Sequence, residues 1–226
     1  MQAALDRLEV PLAATFLDSA LTSDGIRFPP PDEVAAIVEE THAAGGLFVA
    51  DEVQAGHGRT GRHLWSFERY GITPDLVTLG KPMGNGYPVA AVVTRRELAG
   101  RFPYAGTTFS TFGGNPVAAA AALAVLDVLR DEQLPERAAE VGARLRTAVE
   151  SLDKTEVVEV RGSGLLAGVQ LTGGERAVRV IDGLREHGIV VGVTGKHGDV
   201  LKIRPPVVFA DEHAELLVAA LARILA

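Results

Sequence analysis

The chain has 226 residues, of which 47% are hydrophobic and 23% charged; this is long enough for a substantial core and excludes wholesale disorder and a fibrous design. The formal net charge of -7, without any cluster of lysine and arginine, disfavours nucleic acid and anionic membranes as partners. Cysteine is absent, which excludes disulfides, thiolate metal ligands and a cysteine nucleophile.

The first residues of the chain lack the pattern of a signal peptide. Met1–Pro11 contains Asp6, Arg7 and Glu9 among its apolar residues, so an uninterrupted apolar core is missing. No segment approaches the roughly 20 apolar residues that a membrane helix needs. Together with the absence of cysteine, which fits a reducing compartment, this predicts a cytoplasmic protein without a membrane span.

The first part of the chain alternates strand and helix patterns. A short strand is predicted over Leu12–Leu17 and a helix over about Asp32–Ala44. Further buried strands are expected at Leu47–Ala50, Leu76–Leu79 and Val89–Thr94. A long helix is then predicted from Pro116 to about Leu129, with Asn115 as its N-cap. Short apolar strands that alternate with helices predict an α/β domain with a mostly parallel sheet.

From about Leu134 the pattern changes. The expected elements are, in order, a helix, two strands joined near Arg161–Gly164, a helix over Gly174–His187, strands at Ile189–Val193 and Val200–Ile203, and a helix from about Asp211. This order is typical of an α+β arrangement. We therefore predict a larger domain over residues 1–132 and a smaller α+β domain over residues 133–226.

Two charged residues end neighbouring buried strands. Asp51 follows the first of these strands and Lys81 the next, and ligands of open α/β sheets bind at the carboxyl ends of strands. Partial burial of Lys81 there would favour the uncharged amine that imine formation requires. We interpret Lys81 as a lysine that forms a Schiff base with an aldehyde cofactor, with Asp51 as its electrostatic partner. Taken alone, the spacing also fits a solvated lysine in a turn.

A third element combines hydroxyl groups with the start of a helix. The segment from Thr108 to Pro116 contains Ser110, Thr111 and the pair Gly113-Gly114 directly before the predicted Asn115 cap. Backbone N–H groups and the positive end of the helix dipole suit such a place to a phosphate. A plain capped helix is the alternative, although capping needs only Asn115 and Pro116.

Three motifs, in this order, resemble those of one family: Asp51-Glu52-Val53-Gln54, Leu79 to Pro88, and Ser110 to Pro116. The chain resembles the class III pyridoxal-phosphate-dependent aminotransferases of fold type I over nearly its whole length. Within this class, Gly80–Pro88 and Leu201–Pro206 are most similar to the branch of phospho-lyases, which act on phosphorylated amines such as phosphoethanolamine. The resemblance implies the C-terminal portion of the family's fold, with a mostly parallel sheet and a smaller α+β domain.

The resemblance also implies a role for each matching residue. Lys81 would form the internal aldimine with pyridoxal 5'-phosphate and move the proton at the substrate carbon. Asp51 would keep the pyridine nitrogen protonated. Val53 would pack on the ring and Gln54 would bind near the phenolic oxygen. Thr111 would bind the phosphate, in this family from the neighbouring subunit, which implies a homodimer.

Arg204 matches the arginine of this family that receives a substrate carboxylate. A planar guanidinium suits that bidentate contact, although a surface salt bridge is the alternative. The implied substrates are an amine or amino acid together with a keto acid. A phosphorylated amine without a carboxylate would leave Arg204 another role.

Two rival functions find less support in the sequence. The run Gly56-x-Gly58-x-x-Gly61 mimics a dinucleotide-binding motif, but the acidic pair Asp51-Glu52 precedes it and the segment after it is too short for the required long helix. The six histidines are scattered without metal-ligand spacing, so no metal site is predicted.

The resemblance departs from the family at the start of the chain. Members of the family begin well before the residue that matches Met1, and the preceding part carries a Gly-Ser phosphate loop and the aromatic residue that stacks on the ring. We therefore expect an N-terminally truncated chain. It would be either an inactive fragment or one half of a split enzyme that needs a complementing N-terminal chain.

Overall fold

The chain forms two units, each with its own sheet. The computed structural model describes residues 2–102, 109–152 and 155–225. Unit 1 comprises Met1–Ser19, Pro29–His57 and Trp65–Val128, and unit 2 comprises Ala20–Phe28, Gly58–Leu64 and Leu129–Ala226. The domain boundary between residues 132 and 133 stays a prediction.

The sheet of unit 1 has four strands, in the order β1-β2-β3-β4. The strands are β1 (Ala14–Asp18), β2 (Leu47–Asp51), β3 (Leu76–Leu79) and β4 (Ala91–Thr94). The helices up to residue 131 are α1 (Gln2–Leu5), α2 (Pro31–Ala43), α3 (Arg96–Ala99) and α4 (Pro116–Asp131). β1 pairs with β2 and β2 with β3 in parallel, whereas β4 is antiparallel to β3. The predicted mostly parallel sheet is confirmed.

A hydrophobic cluster of unit 1 lies between α2 and β2. Its buried members are Val34, Phe48, Ala50 and Tyr70. Burying each large apolar side chain contributes roughly 1.5–3 kcal/mol to stability. The helix begins at Pro31 with Asp32 and Glu33 in its first turn, and it ends before Gly45, whose φ of 79° suits glycine. The helix predicted over about Asp32–Ala44 is confirmed.

Asp75 fixes the amino end of β3. Its carboxylate accepts hydrogen bonds from the Phe48 N–H (2.8 Å) and from Arg95 (2.7 Å), and it lies 2.8 Å from His42 Nε2. Burial opposes ionisation of Asp75, but the Phe48 N–H, His42 and Arg95 outweigh it and hold the pKa of the carboxyl below its ordinary value. This residue therefore joins α2, β2, β3 and the segment after β4 at the edge opposite to the strand ends that carry Asp51 and Lys81.

His57 is a buried histidine of unit 1 whose charge we expect to destabilise the fold. The rings of His57 and Trp65 pack edge to face, with their centroids 4.9 Å apart. Nδ1 of His57 has no hydrogen-bond partner among the described residues. Burial lowers the pKa of His57 below 6.5, so the unfolded chain binds the proton more readily than the folded chain. Stability from this group is therefore present above the unfolded pKa and is lost as the pH falls towards the folded one.

Unfolding in urea, followed by the fluorescence of the single tryptophan at different pH values, checks this prediction. Between about pH 8 and about pH 5.5, the free energy of unfolding should fall more for the unmodified chain than for His57→Phe, by at most about 1.4 kcal/mol per pH unit for one proton. Equal pH dependence in the two proteins would contradict the expectation.

Unit 2 contains a four-stranded antiparallel sheet in the order β5-β6-β8-β7. Its elements are α5 (Leu134–Glu150), β5 (Val157–Ser163), β6 (Leu166–Leu171), α6 (Gly174–Glu186), β7 (Gly192–Thr194), β8 (Val200–Ile203) and α7 (Asp211–Leu225). The core between the sheet and these helices includes Leu145, Val169, Val180, Leu201 and Leu221. The predicted α+β order is confirmed. Within the described ranges, no helix is both long and apolar enough to cross a membrane.

The strand predicted over Ile189–Val193 differs from the observed one. β7 begins only at Gly192 and ends at Thr194, because those three residues pair with β8. Ile189 and Val191 pack against the core of unit 2 instead. An apolar pattern alone does not distinguish these two uses of a side chain.

Gly142 allows α5 to approach the turn between β5 and β6. A Cβ at Gly142 would lie 1.8 Å from the carbonyl oxygen of Gly164, far inside contact distance. We expect Gly142→Ala to lower the free energy of unfolding by about 3 kcal/mol through overpacking, although alanine normally stabilises a helix relative to glycine by about 1 kcal/mol. Chemical unfolding followed by circular dichroism measures the change.

Gly183 in α6 is the matched control. A Cβ there would meet only side-chain atoms of Ile224, at 3.2 Å, and these can move. Gly183→Ala should therefore keep or raise stability. A Gly142→Ala protein as stable as the unmodified chain would show that the helix can shift away from Gly164.

Candidate functional site

Asp51 and Lys81 lie at the same edge of the unit 1 sheet. Asp51 is the last residue of β2 and pairs in parallel register with Thr78 of β3. Lys81 follows Thr78 by three residues and begins the 3-10 turn Lys81–Gly84. The predicted adjacency of the two strands is confirmed. Asp51 and Lys81 both lie at carboxyl ends of parallel strands, where α/β sheets bind ligands.

The Asp51 carboxylate is held by hydrogen bonds to one of its oxygens. Oδ1 accepts the Val53 N–H at 3.0 Å and the Thr78 hydroxyl at 3.2 Å. The side chain is half-buried. Two donors on a single oxygen fix the orientation of the carboxylate, so that its charge has a defined direction. The sequence placed Thr78 in a predicted strand but gave it no role at the site.

Lys81 is held in an uncommon backbone conformation. Its φ is 35°, a left-handed value that costs a non-glycine residue roughly 1–3 kcal/mol and occurs often at functional sites. Hydrogen bonds from Met83 N to Gly80 O (2.9 Å) and from Asn85 N to Pro82 O (3.0 Å) stabilise the turn. No described residue covers the Lys81 side chain, which is exposed, so the partial burial expected from the sequence is not seen.

Glu52, next to Asp51, is fully buried and has a structural environment. Its carboxylate accepts hydrogen bonds from Ser19 Oγ (2.6 Å), Ser66 N (2.7 Å) and Phe67 N (2.9 Å). Burial raises the pKa of Glu52, although these three donors act in the opposite direction. The two neighbouring acids therefore differ in their environment. Glu52 holds the segment around residue 66, whereas Asp51 lies at the strand-end site.

Tyr70 completes the network around Glu52. Its hydroxyl donates to the carbonyl of Ser19 at 2.6 Å. Burial raises the pKa of Tyr70 to about 12, so the phenol is protonated and serves as a donor. Tyr70 and Phe67 also pack in the hydrophobic cluster of unit 1.

Val53 and Gln54 follow Asp51 on the turn after β2, and both are half-buried. A Cβ at Gly80 would lie 3.7 Å from a methyl group of Val53. Val53 is therefore next to the residue that precedes Lys81. An apolar side chain therefore lies beside the turn that carries the amine.

The segment before α4 has the geometry of a capped helix start. Asn115 Oδ1 accepts the Ala118 N–H at 2.9 Å, which confirms the predicted N-cap. Thr111 is exposed in this segment, and Ser110 Oγ accepts the Gly113 N–H at 2.9 Å. Thr108, with which the predicted phosphate segment began, lies outside the described residues.

Tyr87 connects this helix start to the loop that follows Lys81. Its hydroxyl donates to Asn115 Oδ1 at 3.4 Å, near the limit of a hydrogen bond. The amine-bearing loop and the helix start therefore belong to the same side of unit 1. Sequence reasoning missed Tyr87, and the only signal for it was its place in the matching motif.

Arg204 follows β8 in unit 2. It is exposed, and it forms no ion pair with any carboxylate in the described part of the chain, so the alternative of a surface salt bridge is not observed there. The neighbouring Arg59 donates to the carbonyls of Leu165 (3.2 Å) and Pro205. Burial lowers the pKa of Arg59 to about 10, and the charge of Arg204 adds to this effect. The two like charges make this part of unit 2 favourable for an anion.

The glycines of the run from Gly56 to Gly61 serve packing. A Cβ at Gly61 would lie 2.8 Å from Ala139 of α5, and one at Gly58 would lie 2.7 Å from Pro135. Among the described residues that follow, only the short 3-10 turn Ser66–Tyr70 forms before β3. The long helix of a dinucleotide-binding motif is not present there.

Comparison with known proteins identifies the family to which this chain belongs. The family model described as Aminotransferase class-III matches residues 1–225. The chain is 38% identical over 227 residues to ethanolamine-phosphate phospho-lyase homolog 1 of Caenorhabditis elegans, covering 95% of this chain and 49% of that protein. It is 37% identical over 227 residues to ornithine aminotransferase of Bacillus subtilis, covering 98% and 54%.

Solved structures agree with these sequence relatives. A phospholyase from Arthrobacter in complex with phosphoethanolamine matches with a TM-score of 0.93 and 36% identity, covering 99% of this chain and 55% of that chain. A Bacillus anthracis aminotransferase matches with a TM-score of 0.91 and 28% identity, covering 99% and 54%. The chain therefore spans about half the length of the relatives that it matches.

Proposed function

Because this chain belongs to the class-III aminotransferase family, we propose that it carries the cofactor lysine, Lys81, and the pyridine-facing carboxylate, Asp51, of an aminotransferase. Members of this family depend on pyridoxal 5'-phosphate. The observation that carries the proposal is the placement of Asp51 and Lys81 after adjacent parallel strands, at one edge of the sheet.

The chemistry of the nearby groups fits this cofactor. Pyridoxal phosphate offers an aldehyde, a pyridine nitrogen and a phosphate. Lys81 supplies an exposed amine for the aldehyde, and Asp51 supplies an oriented carboxylate for the nitrogen. For the phosphate of the neighbouring subunit's site, Thr111 would supply a hydroxyl beside the start of a sixteen-residue helix, where a phosphate is favoured. The aldehyde, the pyridine nitrogen and the phosphate would thus each have a partner of suitable chemistry once two subunits associate.

The residues would divide the reaction as follows. When bound, pyridoxal phosphate would supply an electron sink for negative charge at the substrate carbon. Lys81 would hold the cofactor through its amine and would move the proton at the substrate carbon. Asp51 would keep the proton on the pyridine nitrogen. Val53 would pack on the ring, and Gln54 would bind near the phenolic oxygen.

Arg204 is proposed as the group that receives a substrate carboxylate. Its exposed guanidinium without a carboxylate partner in the described ranges supports this role. The substrates would then be an amino acid or amine and a keto acid. A cytoplasmic location remains our proposal and is supported by the cysteine-free sequence.

A partner chain is the second part of this proposal. Unit 1 has β1 and β4 at the two edges of its sheet, and it exposes the large apolar side chains of Phe16, Val92, Val93, Phe109 and Phe112. Open edges and exposed apolar groups favour association. We propose a homodimer in which Thr111 reaches the phosphate of the neighbouring site, or alternatively a complementing N-terminal chain.

Phosphate elimination is a second candidate activity. Both the relative from Caenorhabditis elegans and the structure from Arthrobacter are described as phospho-lyases, the latter with phosphoethanolamine bound. Release of inorganic phosphate from phosphoethanolamine would support this activity. Production of a keto acid from an amino donor would support transamination.

The proposal is tested by adding pyridoxal phosphate to the purified chain. We expect a visible absorbance band, and we expect borohydride followed by peptide mapping to place the cofactor on Lys81. A cofactor fixed on Lys196 or Lys202 would overturn the assignment. A band that forms only after addition of a chain matching the other half of the relatives would support a split enzyme, and no band under either condition would support an inactive fragment.

A further inference from the structure

We propose that Thr78 is a positioning residue that aims the Asp51 carboxylate at the cofactor. This inference rests on the proposed function of Asp51. Thr78 lies outside the motifs that the family resemblance uses for the cofactor contacts, and it does not touch the cofactor in this proposal. It acts through Asp51, to which its hydroxyl donates at 3.2 Å.

The register of the sheet brings the two residues together. Asp51 and Thr78 are direct partners in the parallel pairing of β2 and β3, so their side chains project from the same face of the sheet. The Glu52 N–H donates to the carbonyl of Thr78 at 3.0 Å. Thr78 therefore binds the end of β2 twice, through its backbone carbonyl and through its hydroxyl.

Both hydrogen bonds to Asp51 end on one oxygen. Oδ1 accepts the Thr78 hydroxyl and the Val53 N–H, and no described residue donates to Oδ2. Loss of the hydroxyl would leave Oδ1 with a single donor, about which the carboxylate can rotate. The second donor thus fixes the direction in which the negatively charged Oδ2 points. An electrostatic partner for a pyridine nitrogen requires such a fixed direction.

Thr78 also has a place in the chain that suits this role. It is half-buried in β3, and only Leu79 and Gly80 separate it from Lys81. The residue that orients the acid is therefore in the same short segment as the amine. A β-branched side chain favours a strand in any case, so the hydroxyl and the shape of Thr78 must be tested separately.

The experiment compares Thr78→Val, which keeps the shape, with Thr78→Ser, which keeps the hydroxyl. Pyridoxal phosphate is titrated into the full chain, or into the full chain with its partner if one is required, and the dissociation constant and the visible spectrum are recorded. We expect Thr78→Val to weaken binding about tenfold and to shift the absorbance band, and Thr78→Ser to stay within about twofold of the unmodified chain. Thr78→Ala replaces Thr78→Val if the latter does not fold.

An Asp51→Asn background separates orientation from general stability. If Thr78 acts through Asp51, adding Thr78→Val to Asp51→Asn should weaken binding by no more than about twofold further. An equal loss in both backgrounds, or no loss from Thr78→Val in the unmodified chain, overturns the inference while leaving the proposed function intact. Failure of the unmodified chain to bind the cofactor under any condition overturns both.

Discussion

Replacing Lys81 by alanine is expected to lower turnover of an amino donor and a keto acid by at least about 10²–10⁴-fold, the range that a general base contributes. Under the proposed function the loss follows because alanine would supply neither the amine that holds the aldehyde nor the base that moves the proton. Lys81→Arg should fail similarly, since a guanidinium stays protonated and does not form an imine. Initial rates together with the mass of the borohydride-treated protein check both variants.

Lys196→Ala is the matched control for this prediction. Lys196 is an exposed lysine between β7 and β8 of unit 2, with no assigned role in the site. Its replacement should leave turnover and the adduct mass unchanged. Full turnover in Lys81→Ala, with loss in Lys196→Ala, would contradict the assignment of the amine.

The left-handed backbone at Lys81 gives these variants a further use. A φ of 35° disfavours alanine and arginine about as much as lysine, because all three have a Cβ. The substitutions therefore change the amine without adding backbone strain. A change in turnover with an unchanged urea midpoint can be assigned to chemistry and not to unfolding.

The elements that position Asp51 and Lys81 could be predicted because their signals are local. Leu47–Ala50 and Leu76–Leu79 are short apolar runs that end at polar or glycine residues, and such runs are typical of buried parallel strands. Asn115 and Pro116 mark the start of α4 by capping chemistry that involves only neighbouring residues. Local sequence signals were therefore sufficient to predict the strand ends that carry the site and the start of α4.

The contacts that refine the site could not be predicted in this way. Thr78 and Asp51 are 27 residues apart, and only strand register brings them together. The distinct environments of Asp51 and Glu52 likewise depend on Ser19 and Ser66, which approach from other segments. Exposure of Lys81 depends on what packs around the turn, and no pattern within the motif reports it.

Glu52 is expected to be the most important polar residue for the stability of unit 1. Glu52→Ala would leave the buried N–H of Ser66 and the half-buried N–H of Phe67 without their acceptor, and loss of the acceptor of a buried donor costs roughly 1–3 kcal/mol. We expect the free energy of unfolding to fall by about 3 kcal/mol or more. Urea unfolding followed by the fluorescence of Trp65, which directly precedes this segment, measures the change.

Glu52→Gln should fall between alanine and the unmodified chain, because an amide keeps one acceptor oxygen but turns an NH2 group towards the donors. Glu68→Gln is the control. Glu68 lies in the 3-10 turn Ser66–Tyr70, to which Glu52 is hydrogen-bonded, and it accepts the Trp65 N–H at 3.0 Å, but its side chain is exposed. Its replacement should cost less than about 1 kcal/mol.

The difference in unfolding free energy between the unmodified chain and Glu52→Gln should change with pH in the opposite direction to the difference between the unmodified chain and His57→Phe. Because the pKa of Glu52 is raised in the folded chain, its contribution is most favourable below the unfolded pKa and is lost as the pH rises through the folded one. The unmodified chain should therefore gain stability relative to Glu52→Gln as the pH falls towards 4.5, the ordinary value for this group. A relative loss over that range would mean that the three donors outweigh burial, and that Glu52 is held as a carboxylate as firmly as Asp75.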